Sequence, residues 1–185
     1  MVSQNITKKR SLFRWEMWGI LFIVLAGSLL HFTFELSGGW PPVGIFSAVN
    51  ESVWEHLKLA FWPALVWTII EYLAFRRTVD LRSGFVLAKA LGAYLMPVII
   101  VVIFYSYTAF TGDSILAVDL SSFVIAVVFG QIVSYRLVQS FRLPSVFTLL
   151  GLALWVIGIL LFAVFTFLPP HLGVFRDPVN GGFGT

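Results

Sequence analysis

The chain has 185 residues, 59% of them hydrophobic and only 11% charged, and its mean hydropathy is +0.94. A soluble domain is about 45–50% apolar and about 25% charged, so this composition excludes a disordered chain, a coiled coil and a conventional cytosolic enzyme. The formal net charge of +3 is too small and too scattered for a nucleic-acid footprint, and a chain with no cysteine has no disulfide, thiolate metal site or cysteine nucleophile.

A bilayer core requires about 20 apolar residues per helix. Five stretches supply them, at about residues 15–36, 56–75, 84–110, 118–140 and 144–168. The connections are short, and neither strand patterning nor an internal repeat is evident, which argues against a barrel. Helices are the remaining way to satisfy the backbone in hydrocarbon. The expected fold is all-α: one polytopic membrane domain over residues 1–185, multi-pass in the cell membrane, with lipids as partners, no nucleic acid, and oligomerisation left open. The N-terminus also imitates a signal peptide, with small residues at Ala26-Gly27-Ser28, and removal would leave four spans. The apolar run continues past those residues, which favours a retained first span.

Lysine and arginine set the expected orientation. Lys8, Lys9, Arg10 and Arg14 precede the first span, Arg76, Arg77 and Arg82 follow the second, and Arg136 and Arg142 follow the fourth. The other side carries Lys58 and, in the tail, Arg176. A cytoplasmic N-terminus and an external C-terminal tail, residues 169–185, follow.

Ionisable residues within a membrane are expensive, so their depth is informative. His31 and Glu35 fall near the outer end of the first span, spaced i,i+4 on one helix face. Glu51, Glu55 and His56 arrive at the outer end of the second, Asp119 opens the fourth, and His171 follows Pro169-Pro170 after the fifth. All three histidines and most of the acids therefore collect at one level. From about Phe46 the pattern reads as an amphipathic helix leading into the second span, capped by Asn50 or Ser47, with Glu51, Glu55 and Lys58 on one arc and Phe46, Val49, Val53, Leu57 and Ala60 opposite. Two glutamates at i,i+4 repel and call for Lys58, a protonated histidine, a metal ion or a retained proton. Nitrogen and carboxylate donors suit zinc, iron or manganese; a site could draw on His31, Glu35, Glu51, Glu55 and His56, with His171 as a further donor, and His31, Glu35 and His56 are the candidate ligands taken from that set. The same acids and Lys58 also fit a solvated interfacial face with a hydrogen-bonded histidine.

Nearer the basic side, Glu71 and Lys89 sit at similar depth on adjacent helices and read as an ion pair, with Gln131, Ser134 and Tyr135 as possible neighbours. Such a pair serves either registry or, in a transporter, an inner proton relay. Trp15, Trp18, Trp40, Trp54 and Trp62 read as interfacial anchors, Pro63 and Pro97 as kinks, and Gly130, Gly151 and Gly158 as sites of close helix approach.

The run Asn50-Glu51-Ser52-Val53-Trp54-Glu55-His56-Leu57-Lys58, led by Gly44-Ile45-Phe46 and preceded by His31 and Glu35, resembles an uncharacterised family of small polytopic bacterial and archaeal membrane proteins. The ending is similar too: Pro169-Pro170-His171, Phe175-Arg176-Asp177-Pro178 and Gly182-Phe183-Gly184, with Phe183 where the family has tyrosine. The resemblance covers essentially the whole chain and transfers no activity. It implies that the tail belongs with the outer His/Glu groups, where a tail folded back would aim His171, Arg176 and Asp177 at the site.

The expected architecture is a five-helix bundle with an outward-facing His/Glu pocket that binds a divalent metal and acts on, or holds, a lipid headgroup or small polar ligand. In an enzymatic version the metal polarises water, with Glu51 or Glu55 as general base and Asn50, Lys58, Asp119, His171, Arg176 and Asp177 around the substrate. The alternatives are a proton-coupled transporter using Glu71 and Lys89, and a structural or accessory subunit whose polar belt locks its helices.

Overall fold

A computed structural model describes residues 2–76, 84–140 and 143–184, with side chains from Ser11 onward. Arg77, Arg82 and Arg142, and the side chains of Lys8, Lys9 and Arg10, on which the orientation leans, lie outside the described residues. The helices are α1 (Val2–Leu36), α2 (Pro41–Gly44), α3 (Val53–Phe75), α4 (Phe85–Thr111), α5 (Leu116–Ser140) and α6 (Val146–Phe167), followed by a 3-10 turn at Gly173–Phe175. Five of them are long and apolar enough to cross a membrane: Ser11–Leu36 within α1, then α3, α4, α5 and α6 whole. Each end lies within about one helical turn of its expected position.

Helix α3 is the central element. In its most apolar stretch 61% is buried, against 17% in α1 and 22% in α6, and it packs on α1, on α4 and on the 3-10 turn of the tail. The outer helices instead turn large apolar side chains outward. Leu21, Leu25, Leu29 and Leu36 of α1 and Leu149, Leu152, Val156 and Leu160 of α6 are exposed, as lipid-facing surfaces require.

Helices in hydrocarbon associate through close packing of small residues. A Cβ on Gly130 would lie 2.7 Å from the carbonyl oxygen of Gly92, one on Gly151 would lie 2.5 Å from the Leu87 amide nitrogen, and one on Gly158 would lie 2.5 Å from the Phe61 ring. The same logic joins α1 to α3. Pro63 has no N–H, so the Leu59 carbonyl four residues earlier lacks its helical donor. Gly27 packs onto that carbonyl so closely that a Cβ would come within 2.4 Å of it.

The connection into the second span differs from the sequence expectation. Residues 45–52 are turns and bends rather than an amphipathic helix, and α3 begins at Val53. Ser52 is the cap, its hydroxyl accepting from Glu55 N at 3.4 Å. Asn50 and Ser47 do other work. The Asn50 side chain accepts from Ser52 N at 2.9 Å and donates to the Gly184 carbonyl at 2.8 Å. Ser47 donates to the Leu30 carbonyl and accepts from Phe34 N, the two groups that pair in a regular helix. Side chains on the loop had better partners than another turn of helix would have given them.

Candidate functional site

Three elements bring imidazoles and a carboxylate together at the end of the bundle where α1 finishes and α3 begins. His31 comes from the last third of α1, His56 from the first turn of α3, and Glu51 from the loop just before it. Their ligand atoms all lie within 4.8 Å of one another. His31 Nε2 and His56 Nε2 are 3.1 Å apart, and Glu51 Oε2 lies 3.5 Å from His56 Nε2 and 3.9 Å from His31 Nε2.

Local structure aims each group. The Nδ1 of His56 donates to the Ser52 carbonyl at 2.8 Å. A carbonyl only accepts, so the neutral ring carries its proton on Nδ1 and presents the Nε2 lone pair to His31 and Glu51. A histidine whose second nitrogen is held by a backbone carbonyl is the usual arrangement of a metal ligand. The Ser47 hydroxyl sits in the turn of α1 that carries His31 and so ties that turn to the loop. The side chains are 29% exposed at His31, 34% at His56 and 51% at Glu51, which leaves the group open on one side.

Two nitrogens bound at about 2.0–2.1 Å in tetrahedral geometry stand about 3.3 Å apart, close to the spacing found here. Two histidines and one carboxylate also leave a fourth position for water or a ligand, as in catalytic zinc sites. Glu35, expected as a ligand, is exposed one turn further along α1 and falls outside the group of three.

Glu55 and Lys58 face the opposite way and are essentially inaccessible to solvent. Lys58 Nζ lies 2.5 Å from Glu55 Oε2 and donates to the Gly44 carbonyl at 2.6 Å and to Thr166 Oγ1 at 2.8 Å. Glu55 also accepts from Val49 N at 2.9 Å. One buried pair therefore fastens the loop, α3 and the end of α6. An acid so engaged is not placed to act as a general base at the histidines.

The remaining expected residues are dispersed around this level. Asp119 accepts from the Tyr107 hydroxyl at 2.6 Å and closes the α4–α5 connection. His171 is exposed and meets the Phe183 ring edge-on, with centroids 4.7 Å apart. Arg176 is exposed and bridges through its backbone to Phe183, while Asp177 is buried and holds the tail turn by accepting from Val179 N at 2.9 Å. The tail does dock near the site: the Phe175 and Trp54 ring centroids are 4.7 Å apart. At the far end, Lys89 Nζ lies 2.5 Å from Glu71 Oε2 and equally close to Glu16 Oε1. Glu16, beside Trp15 and Arg14, passes for an interfacial residue, and the same depth count that found Glu71 would have found it. Thr166, a lone hydroxyl in an apolar run, gave no comparable signal.

Fold and site together define, among the described residues, an all-helical protein with five membrane-length helices and one His/Glu group at the end of the bundle where α1, α3, the loop and the tail meet. Residues 3–185 match the family of unknown function DUF6512, and the chain belongs to that family. Comparison with curated proteins and with solved structures gives no match.

Proposed function

We propose that the protein binds one divalent metal ion through His31 Nε2, His56 Nε2 and a Glu51 carboxylate oxygen, at the membrane face opposite its basic N-terminus. The observation that carries this reading is the 3.1 Å approach of two Nε2 atoms beside a carboxylate, with the His56 tautomer set by Ser52. Zinc, iron and manganese all accept this donor set. The open fourth position faces the interfacial level of the membrane, where phosphate and hydroxyl oxygens of lipid headgroups are the most abundant ligands, and a metal polarises such an oxygen as a Lewis acid. Of the four membrane-end acids weighed from sequence, Glu51 takes the ligand role, Glu55 holds the fold, and Glu35 and Asp119 lie outside the group.

Elemental analysis of detergent-purified protein tests this. The expected result is about one zinc, iron or manganese per chain, lost in His31→Ala and His56→Ala, with a melting temperature that falls on chelation. Metal-free protein that melts identically with and without chelator, even after incubation with each of the three metals, would overturn it.

A further inference from the structure

At the opposite end of the bundle, four helices each place polar groups at one level. Glu16 belongs to α1, Glu71 to α3, Lys89 to α4, and Gln131 and Ser134 to α5, and all five are buried. Lys89 Nζ is 2.5 Å from a carboxylate oxygen of each glutamate, so two acids share one ammonium. With all three ionised the cluster holds one uncompensated negative charge. The other charged side chains described along this part of α1, α3 and α5, namely Arg14, Arg76 and Arg136, are exposed. An unbalanced charge buried in a membrane-length bundle is expensive, and a proton on one carboxylate removes it.

A second observation comes from the atoms left over. Glu16 Oε2 and Glu71 Oε1 are buried acceptors without a hydrogen-bond partner, and Trp67 Nε1, Gln131 Nε2 and Ser134 Oγ are buried donors without one. They are neighbours along their helices: Trp67 is one turn from Glu71, and a Cβ on Gly19, one turn from Glu16, would lie 2.2 Å from Gln131 Nε2 and 2.4 Å from Trp67 Nε1. Both nitrogens lie against Gly19, and as N–H donors they offer a metal cation no lone pair. Buried donors and acceptors left over in neighbouring turns are what a bound water satisfies, since it gives and takes hydrogen bonds together.

We propose that Glu16, Glu71 and Lys89 form a proton-binding site within the bundle, holding one exchangeable proton between the two carboxylates and connected by bound water to Trp67 and Gln131. The proton is carried as an O–H on one carboxyl group, the other remaining ionised against Lys89. The site is independent of the metal reading, because none of its residues touches His31, Glu51 or His56.

Infrared spectroscopy of the purified chain in lipid vesicles at neutral pH tests it. The wild-type protein should show the carbonyl stretch of a protonated carboxylic acid, displaced when the vesicles are moved into deuterium oxide. Glu16→Gln and Glu71→Gln, which each leave one acid against one ammonium, should each lose that band, and Lys89→Met should double it. A wild-type spectrum without the band, a band that does not move in deuterium oxide, or a band of full intensity in a folded glutamine variant would overturn the proposal. Either glutamine variant suffices for the comparison.

Discussion

His31 and His56, 25 positions apart in the chain, present Nε2 atoms to one another at 3.1 Å. The contact exists because α1 and α3 run side by side in opposite directions, locked by Gly27 on the Leu59 carbonyl and by Ser47 in the turn of α1 that carries His31. The approach of the rings is thus a property of the packing.

Ligand loss and loss of fold should separate at the two neighbouring glutamates. Glu51 is half exposed and holds no helix in place, so Glu51→Gln should lower bound metal at least tenfold with little change in melting temperature. Glu35→Gln, one turn beyond His31 and exposed, should alter neither. Metal content by mass spectrometry, read alongside thermal unfolding, checks both; a Glu35 variant that loses metal while Glu51→Gln keeps it would reverse the assignment.

Glu55 and Lys58 should behave in the opposite manner. Each is buried and charged, and removing one partner leaves the other without compensation, at a cost of about 3–5 kcal/mol. Glu55→Gln and Lys58→Met should therefore each lower the melting temperature sharply, and the double variant should be less destabilised than the sum of the two. Thermal unfolding of the three variants in one detergent gives the coupling directly.

Gly27 offers a test of the packing itself. A methyl group there must displace the Leu59 carbonyl or the Phe123 ring, which a Cβ would approach to 2.4 and 2.8 Å, and overpacking of this kind costs about 1–3 kcal/mol. Since His31 lies one turn from Gly27, Gly27→Ala should also weaken metal binding, although it touches no ligand. Metal affinity by competition with a chromogenic chelator reads the effect. Unchanged affinity in a destabilised variant would show that the site tolerates a wider helix separation than the structure has.

The spans, the nearness of His31 to His56 and the Glu71–Lys89 pair were legible because each follows from hydropathy and depth, which a single chain displays. What was hidden depended on direction. Helical periodicity extended across residues 45–52 put Glu51, Glu55 and Lys58 on one face; the real break at Ser52 sends Glu51 to the histidines and Glu55 with Lys58 into the bundle. Side-chain hydrogen bonds from Ser47 and Asn50 to distant backbone groups made that loop, and no local signal announces a partner as remote as Gly184. The fate of His171 was equally hidden, because Pro169-Pro170 ends a helix without saying where the chain goes next.

The tail provides the last prediction. The described contacts hold it to two helices and the site loop: Phe175 on Trp54 of α3, with ring centroids 4.7 Å apart, Phe175 against Phe165 of α6, and the Gly184 carbonyl on the Asn50 side chain of the loop. Phe175 is buried, so Phe175→Ala removes an aromatic anchor worth about 3–5 kcal/mol in a packed core, while Asn50→Ala removes, besides its bond to Ser52 N within the loop, a single hydrogen bond to the tail worth about 1 kcal/mol. Only the first should free the tail. Limited proteolysis should then cut Phe175→Ala after residue 168 while leaving Asn50→Ala and the wild-type protein intact, with helical circular dichroism unchanged in all three. Because no acid or histidine of the tail belongs to the His31–Glu51–His56 group among the described residues, metal content should survive the cut; loss of the metal together with the tail would mean that the tail shapes the site through Trp54 and the loop.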